Sequence, residues 1–229
     1  MSNFLKTIVC IVIFSFEANV FAKPVIIGFN PSPPFSFLNS YGKADGLLIK
    51  ATEKVMKKLE IDHSYTFLPT SFMVDYIEKG EIGLMACGVN ETSWAVLGKQ
   101  VILTMDLGFY HKKTLPMVGT VKSLKGKTVS VTSGDKYHGV LDELKNKGNG
   151  INLQKAIVPS KMFTDLKYGK TEYAMIYKRQ GAPILERHKM KNYIFSSYKK
   201  IKCRWLVSNT VKDAKELVKK LDAITVEIK

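Results

Sequence analysis

The chain has 229 residues, of which 45% are hydrophobic, so it can build a packed core and is not a disordered polypeptide. Its formal net charge of +15 comes from 35 lysines and arginines against 20 acidic residues. Only three of the basic residues are arginines, the side chain best suited to bind phosphates, so we interpret the charge as a solvated lysine-rich surface and expect no nucleic-acid partner.

The first 22 residues are predicted to be an export signal. Lys6 supplies a positive charge, residues 7–16 form a short apolar segment, and Val20-Phe21-Ala22 places small residues where signal peptidase recognises them. An uncleaved anchor helix is the alternative, but this segment is too short to span ~30 Å of hydrocarbon. The mature chain is therefore expected to begin near Lys23, in the periplasm.

Strands and helices alternate along the first half of the mature chain. Apolar runs and helical spacing predict, in order, a strand, a helix, a strand, a helix and a strand over residues 24–29, 47–59, 65–68, 72–78 and 82–87. Asn30-Pro31-Ser32-Pro33-Pro34 interrupts regular structure after the first strand. Such alternation is typical of a parallel sheet covered by helices.

The same pattern restarts after a connection over residues 103–118. It predicts strands over 128–131, 156–158, 173–177 and 201–207 and helices over 133–147, 161–168 and 211–221. The helix over 133–147 is expected to open at Ser133-Gly134-Asp135. Two successive α/β units in this length predict two small lobes.

Two cysteines, Cys87 and Cys203, remain after the predicted signal. An oxidising compartment permits a disulfide between them. The sequence alone does not bring two sulfur atoms together, so two buried free thiols are the favoured interpretation and a disulfide is the alternative.

Several segments resemble, in order, motifs of the family 3 extracellular solute-binding proteins, the amino-acid-type binding proteins of uptake transporters. They are Pro33-Pro34-Phe35-Ser36-Phe37, the Gly-rich turn over 42–47, the strand entry over 79–84, Gly88-Val89-Asn90-Glu91-Thr92, the crossover over 103–110 and the stretch over 124–134. Together they cover nearly the whole mature chain.

This resemblance implies a two-lobed α/β fold of the periplasmic-binding-protein type (type II), with two crossovers. Lobe 1 would comprise residues 23–107 and 199–229, and lobe 2 residues 108–198. A small molecule would bind between the lobes, with a membrane permease or receptor as partner, a monomeric chain and no cofactor. In such folds ligands bind in the crevice at the ends of the strands.

Two positions depart from the pattern of relatives that bind free amino acids. The arginine that holds the ligand carboxylate, three residues after the threonine of the cleft loop, is replaced by Ala95. The aspartate that holds the ligand ammonium, after the last strand of lobe 2, is replaced by Tyr177. A buried charge without a partner costs several kcal/mol. An ordinary α-amino acid is therefore not the expected ligand.

Eight residues are candidates for the ligand site. Phe35 and Trp94 can stack on a flat ligand, although packing in the core or between the lobes is the alternative for each. Asn90 and Thr92 can donate or accept hydrogen bonds. The remaining candidates are Gly134 and Asp135 at the predicted helix start, Tyr137 facing the cleft, and Tyr177. A helix start can bind an anion, but Asp135 is more simply a cap there.

The sequence offers little that points to catalysis. His63, His111, His138 and His188 lack metal-ligand spacing, and no nucleophile motif occurs. We therefore predict a transport-type binding protein without enzyme activity, catalytic residues or a metal site. The alternatives are a ligand sensor for a membrane receptor and, less favoured, a small dehydratase-like periplasmic enzyme on the same fold.

Overall fold

The computed structural model describes residues 24–135 and 137–228. The predicted export signal lies outside the described residues. Among the helices that are described, none is long and apolar enough to cross a membrane.

The first half contains the predicted alternation of strands and helices. Its elements are β1 (Val25–Phe29), β2 (Phe37–Leu38), β3 (Ala44–Asp45), α1 (Leu47–Lys58), β4 (His63–Phe67), α2 (Thr70–Glu78), β5 (Leu84–Gly88) and β6 (Ala95–Lys112). Helix α1 buries Leu48, Ile49, Val55 and Met56, which recur at helical spacing along one face. For most of its length, the connection predicted over 103–118 is the end of the long strand β6, which runs to residue 112.

The second half repeats the pattern. Its elements are β7 (Thr128–Thr132), α3 (Val140–Lys145), β8 (Asn152–Ala156), α4 (Pro159–Lys167), β9 (Tyr173–Tyr177), α5 (Lys178–Arg187), β10 (Tyr193–Ser208) and α6 (Ala214–Ile224). Helix α5 has no counterpart among the predicted elements, since Gly181 and Pro183 weaken its helical signal.

The helix predicted to open at Ser133-Gly134-Asp135 is wrong. Helix α3 begins only at Val140, after a single 3-10 turn over Tyr137–Gly139. Tyr137 and His138 both have left-handed backbone angles, with φ values of 46° and 51°. A helix cannot pass through such residues, so Asp135 does not cap a helix as expected, and the alternative of an anion site at a helix start is likewise absent at Gly134 and Asp135.

Eight strands form one sheet that runs through both lobes, in the order β4-β1-β5-β10-β6-β9-β7-β8. Parallel triplets, β4-β1-β5 on one side and β9-β7-β8 on the other, flank the antiparallel pair β10-β6. This pair is the double crossover of the two-lobed fold. Each lobe therefore has a mixed sheet, in which three parallel strands are joined to the crossover pair by antiparallel pairing.

An irregularity interrupts the crossover pair at its middle. Ser197 pairs with Gly108, and Lys199 pairs with Leu107, so Tyr198 is an extra residue in β10. Such bulges bend a strand locally. The predicted lobe boundaries, 107/108 and 198/199, fall at this point of the sheet, and the lobe ranges themselves stay a prediction.

The two cysteines form a disulfide that joins neighbouring strands β5 and β10. The sulfur atoms of Cys87 and Cys203 are 1.97 Å apart, and the Cα atoms are 4.1 Å apart. The favoured interpretation of two free thiols is therefore wrong. The parallel register of β1 and β5 and the return of β10 beside β5 bring together residues separated by 116 positions.

Candidate functional site

A cavity of about 320 Å³ lies between loops and strands of the two halves. Small-molecule sites in proteins commonly have volumes from ~300 Å³ upward. Its first-half lining comprises Asn30, Ser32, Phe35, Ser36, Leu48, Met73, Val74, Met85, Cys87, Asn90 and Met105, and its second-half lining comprises Asp135, Tyr137, His138, Gly139 and Tyr177.

One wall of the cavity is aromatic. The ring of Tyr177 lies edge-on to Phe35 at 6.0 Å, and at 6.1 Å from the ring of Tyr137. The imidazole of His138 is 6.5 Å from Tyr177 in an edge-on arrangement. Because Phe35 belongs to the first half and the other three to the second, this cluster joins the two halves across the cavity.

The loop after β1 positions Phe35. Its amide donates to the carbonyl of Ser32 at 2.7 Å, and its own carbonyl accepts the amide of Leu48 at 2.8 Å. Gly46 allows this approach, because a Cβ there would lie 2.4 Å from the Phe35 carbonyl oxygen and its φ is 122°. The ring is 1% exposed, so core packing and lining of the cavity are both part of its role.

A short, strained loop after β7 positions Tyr137 and Asp135. The Tyr137 hydroxyl accepts a hydrogen bond from the amide of Thr132 at 2.8 Å, and the Tyr137 amide donates to Asp135 Oδ1 at 2.7 Å. Left-handed angles at non-glycine residues cost ~1–3 kcal/mol each and persist only where the surroundings impose them. Here the burial of Tyr137 and its two hydrogen bonds hold the loop in this conformation, and the neighbouring His138 therefore also has a left-handed φ.

The carboxyl group of Asp135 lies close enough to Tyr137 and Tyr177 that, besides burial, its charge helps to raise the pKa of both phenols. Burial raises its pKa, and the hydrogen bond from the Tyr137 amide offsets this only in part. Among residues 24–135 and 137–228, no lysine or arginine forms an ion pair with it. The carboxylate is therefore poorly solvated and lacks a cationic partner in the part of the chain that the structure describes.

The other titratable groups of the cavity are uncharged near neutral pH. Burial, and to a smaller extent the charge of Lys199, lowers the pKa of His138 to about 4. Burial raises the pKa of Tyr137 and of Tyr177 above that of a free phenol. Asp135 is thus the one lining residue described here that can carry a charge at neutral pH.

A second part of the lining is apolar and rich in thioethers. Met73 and Met105 are buried, with 1% and 6% of their surface exposed. Met85 and the disulfide-bonded Cys87, both on β5, also belong to this part of the lining. Methionine side chains are polarisable and adapt to irregular shapes. This part of the lining can therefore pack against alkyl groups without demanding one ligand geometry.

A direct polar contact also joins the halves beside the cavity. The side-chain amide of Gln180, in α5, donates to the hydroxyl of Ser32 at 2.8 Å. Together with the contact between Phe35 and Tyr177, it holds α5 and β9 against the loop after β1.

The structure brings together five of the eight predicted site residues. Phe35, Asn90, Asp135, Tyr137 and Tyr177 all line the cavity. Whether they contact a ligand stays a prediction.

The other three predicted residues lie outside the cavity lining. Trp94 packs against the small cluster of Met73, Ile77 and Ile82, which is the packing alternative considered for it. Thr92 lies two residues before Trp94, and its buried hydroxyl has no hydrogen-bond partner among the described residues. Gly134 is exposed, with a φ of 83° that suits glycine.

Sequence reasoning missed the methionines and His138. Met85 and Cys87 are two residues apart on β5, and this spacing places them on one face of the strand. That signal was available. No such signal was available for His138, which lies in an irregular loop, or for Met105, which lines the cavity only because of the face that β6 turns toward it.

Within residues 24–135 and 137–228, no group of three or more histidine, cysteine, aspartate and glutamate side chains could hold a metal ion. No protein-family model matches the sequence, and no curated protein matches it.

Solved structures with the same fold are numerous despite low sequence identity. The ligand-binding core of GluR0 in complex with L-glutamate is 15% identical, with a TM-score of 0.71 over 90% of this chain and 93% of that one. A histidine kinase sensor domain with similarity to periplasmic binding proteins is 15% identical, with a TM-score of 0.69 over 88% of each chain. An ancestral arginine-binding protein bound to arginine is 18% identical, with a TM-score of 0.68 over 87% of this chain and 89% of that one. The fold of this chain is thus the two-lobed fold of the periplasmic binding proteins.

Proposed function

We propose that this chain, which has the periplasmic-binding-protein fold, is an exported, monomeric binding protein that captures a small molecule in the cavity between its lobes. The observation that carries the proposal is that residues of both halves enclose one cavity of about 320 Å³. The lobes meet across it through the ring of Phe35 and the amide of Gln180, so a ligand held there contacts both. Such a ligand favours the closed arrangement by as much as it binds that arrangement better than the open one.

The lining argues against an ordinary α-amino acid as the ligand. A zwitterion needs a cation for its carboxylate, and none of the described lining residues is a lysine or arginine. Ala95, at the position of the expected arginine, is buried and pairs with Ser208 in the sheet. Tyr177, at the position of the expected aspartate, faces the cavity with a neutral phenol.

Delivery to an uptake permease is the role we favour, because the sequence resembles binding proteins of uptake transporters. Ligand sensing for a membrane receptor is the second candidate. A specific observation supports it: one solved structure with this fold is a histidine kinase sensor domain. Both roles require ligand binding without turnover, and both place the mature chain in the periplasm.

The proposal is tested by blocking the cavity. In Met105→Trp, the indole ring is larger than the methionine side chain and would occupy the cavity. Met117→Trp is the control, because Met117 is 58% exposed and does not line the cavity. The purified proteins would be compared by native mass spectrometry for co-purified ligand and by thermal shift against a panel of small metabolites. A ligand at 100 times its Kd raises the stability by ~2.7 kcal/mol.

We expect the original chain and the Met117→Trp variant to bind the same compound, and the Met105→Trp variant to fold without binding it. Equal binding by both variants would place the ligand elsewhere and refute the proposal. Chemical conversion of the bound compound would instead favour an enzyme.

A further inference from the structure

The charge and the walls of the cavity together define the class of ligand it suits. Resting on the proposed function above, we infer that the ligand is a small organic monocation whose nitrogen carries alkyl groups, bound between the carboxylate of Asp135 and the rings of Phe35, Tyr137 and Tyr177.

The first argument is charge balance. Asp135 is the single described lining residue able to carry a charge at neutral pH, and no described cation pairs with it. A partly buried, unpaired carboxylate is unfavourable, and a cationic ligand reduces that penalty by pairing with it. A dication would leave one of its own charges unpaired, and a zwitterion would leave its carboxylate unpaired, so one positive charge is the best match.

The second argument is the chemistry of the walls. Aromatic rings attract a cation through their negative faces, and clusters of such rings bind quaternary and other alkylated ammonium groups. Asp135 shares the strained loop of Tyr137 and His138, and the ring of Tyr177 lies 6.0 Å from that of Phe35 and 6.1 Å from that of Tyr137. Elsewhere in the lining, Met73, Met85 and Met105 offer thioethers that can pack against alkyl groups. Apolar walls would serve a hydrated inorganic cation poorly.

The remaining polar groups fit a ligand with one neutral polar end. Asn30, Ser32, Ser36 and Asn90 supply amides and hydroxyls but no further charge. They can hydrogen-bond a hydroxyl or carbonyl oxygen of the ligand.

The overall positive charge of the chain does not oppose this assignment at the site itself. The net charge of +15 is carried by lysines, and beyond ~8 Å their fields are screened at physiological ionic strength. Lys199, the cation that influences His138, pairs with Glu143 at 3.7 Å. Lys136 adjoins Asp135 in sequence and lies outside the described residues, so its contribution is included in the test below.

Three matched probes test the class. Choline carries a trimethylammonium group. Its uncharged isostere, 3,3-dimethylbutan-1-ol, carries a tert-butyl group in the same place. Trimethylglycine keeps the trimethylammonium group and carries a carboxylate as well. Binding would be measured by isothermal titration calorimetry on the original chain, Asp135→Asn and Asp142→Asn, with Lys136→Ala as a further variant. Asp142, in α3, has an exposed side chain paired only with Lys145, and it is the control for loss of one acidic charge.

We expect choline to bind the original chain and Asp142→Asn equally, and to bind Asp135→Asn at least about tenfold more weakly. The uncharged isostere and trimethylglycine should bind at least about tenfold more weakly than choline. Lys136→Ala should bind choline as well as or better than the original chain. The Asp135→Asn variant should melt no lower than the original chain without ligand, because it removes a buried charge and keeps the oxygen that accepts from Tyr137.

Equal binding of choline and its isostere would overturn the cationic class, and so would choline binding that survives Asp135→Asn. Failure of choline to bind would overturn it as well. In each case the proposed function stands if Met105→Trp still loses a co-purified or panel ligand that Met117→Trp keeps. If no ligand depends on Met105, both proposals fail.

Discussion

Breaking the disulfide between Cys87 and Cys203 is expected to lower the free energy of unfolding by up to about 5 kcal/mol. The bond closes a loop between residues 116 positions apart. In the chain-entropy model, a loop of ~100 residues confers ~4.7 kcal/mol by restricting the unfolded chain. At ~2–4 °C per kcal/mol for a domain of this size, Tm should fall by roughly 10–20 °C.

The assay is urea unfolding followed by circular dichroism, with and without reductant. The double variant Cys87→Ala/Cys203→Ala is the control for the reductant: it lacks this disulfide, so reductant should not change its unfolding midpoint. Thiol titration should count free thiols at these positions only after reduction or unfolding under reducing conditions. If the oxidised and reduced proteins unfold at the same urea concentration, the bond does not constrain the unfolded chain as argued here.

Three further predictions concern the cavity. Gly46→Ala should lower Tm and weaken ligand binding, since a Cβ would lie 2.4 Å from a main-chain oxygen of the cavity loop and a φ of 122° strains any L side chain. Choline binding, measured by calorimetry, should weaken as the pH falls, with the loss beginning above the pKa of an ordinary aspartate. Asp135, whose pKa is raised, is protonated as the pH falls and loses its attraction for the cation, and the positive charge that His138 gains near its pKa of about 4 weakens binding in the same direction. Binding that is constant from pH 7 to about pH 4 would contradict this. Gln180→Ala should weaken binding by roughly threefold to tenfold through loss of one hydrogen bond between the lobes, while Gln100→Ala, on an exposed stretch of β6, should leave it unchanged.

Regular periodicity made much of the fold predictable. The strand over Tyr173–Tyr177 has the predicted bounds, and the helices near 47–59 and 161–168 differ from theirs by one or two residues. In each, apolar residues recur at the spacing of one buried face, which is a local property of the sequence. The motifs around Phe35 and Asn90 likewise placed two cavity residues, because both loops directly follow a strand.

The predictions that failed depended on neighbours distant in the chain. The connection over residues 103–112 was not predicted to be a strand, yet it completes a long one because β10 and β9 pair with it on either side. The residues after Gly134 looked like a helix start, but burial of Tyr137 and its hydrogen bond to Thr132 hold a left-handed turn there. Neither partner can be identified from spacing along the chain.

The sequence by itself determined the alternation of strands and helices, the two-lobed class of fold and the absence of an arginine at the expected carboxylate-binding position. Tertiary structure alone decided that Cys87 and Cys203 are bonded, that Asp135 has no ion-pair partner among the described residues, and that three methionines line the same cavity as Asp135. The reason is physical: a periodic pattern records which face of an element is buried, whereas the partner buried against it is set by the packing of segments far apart in the chain.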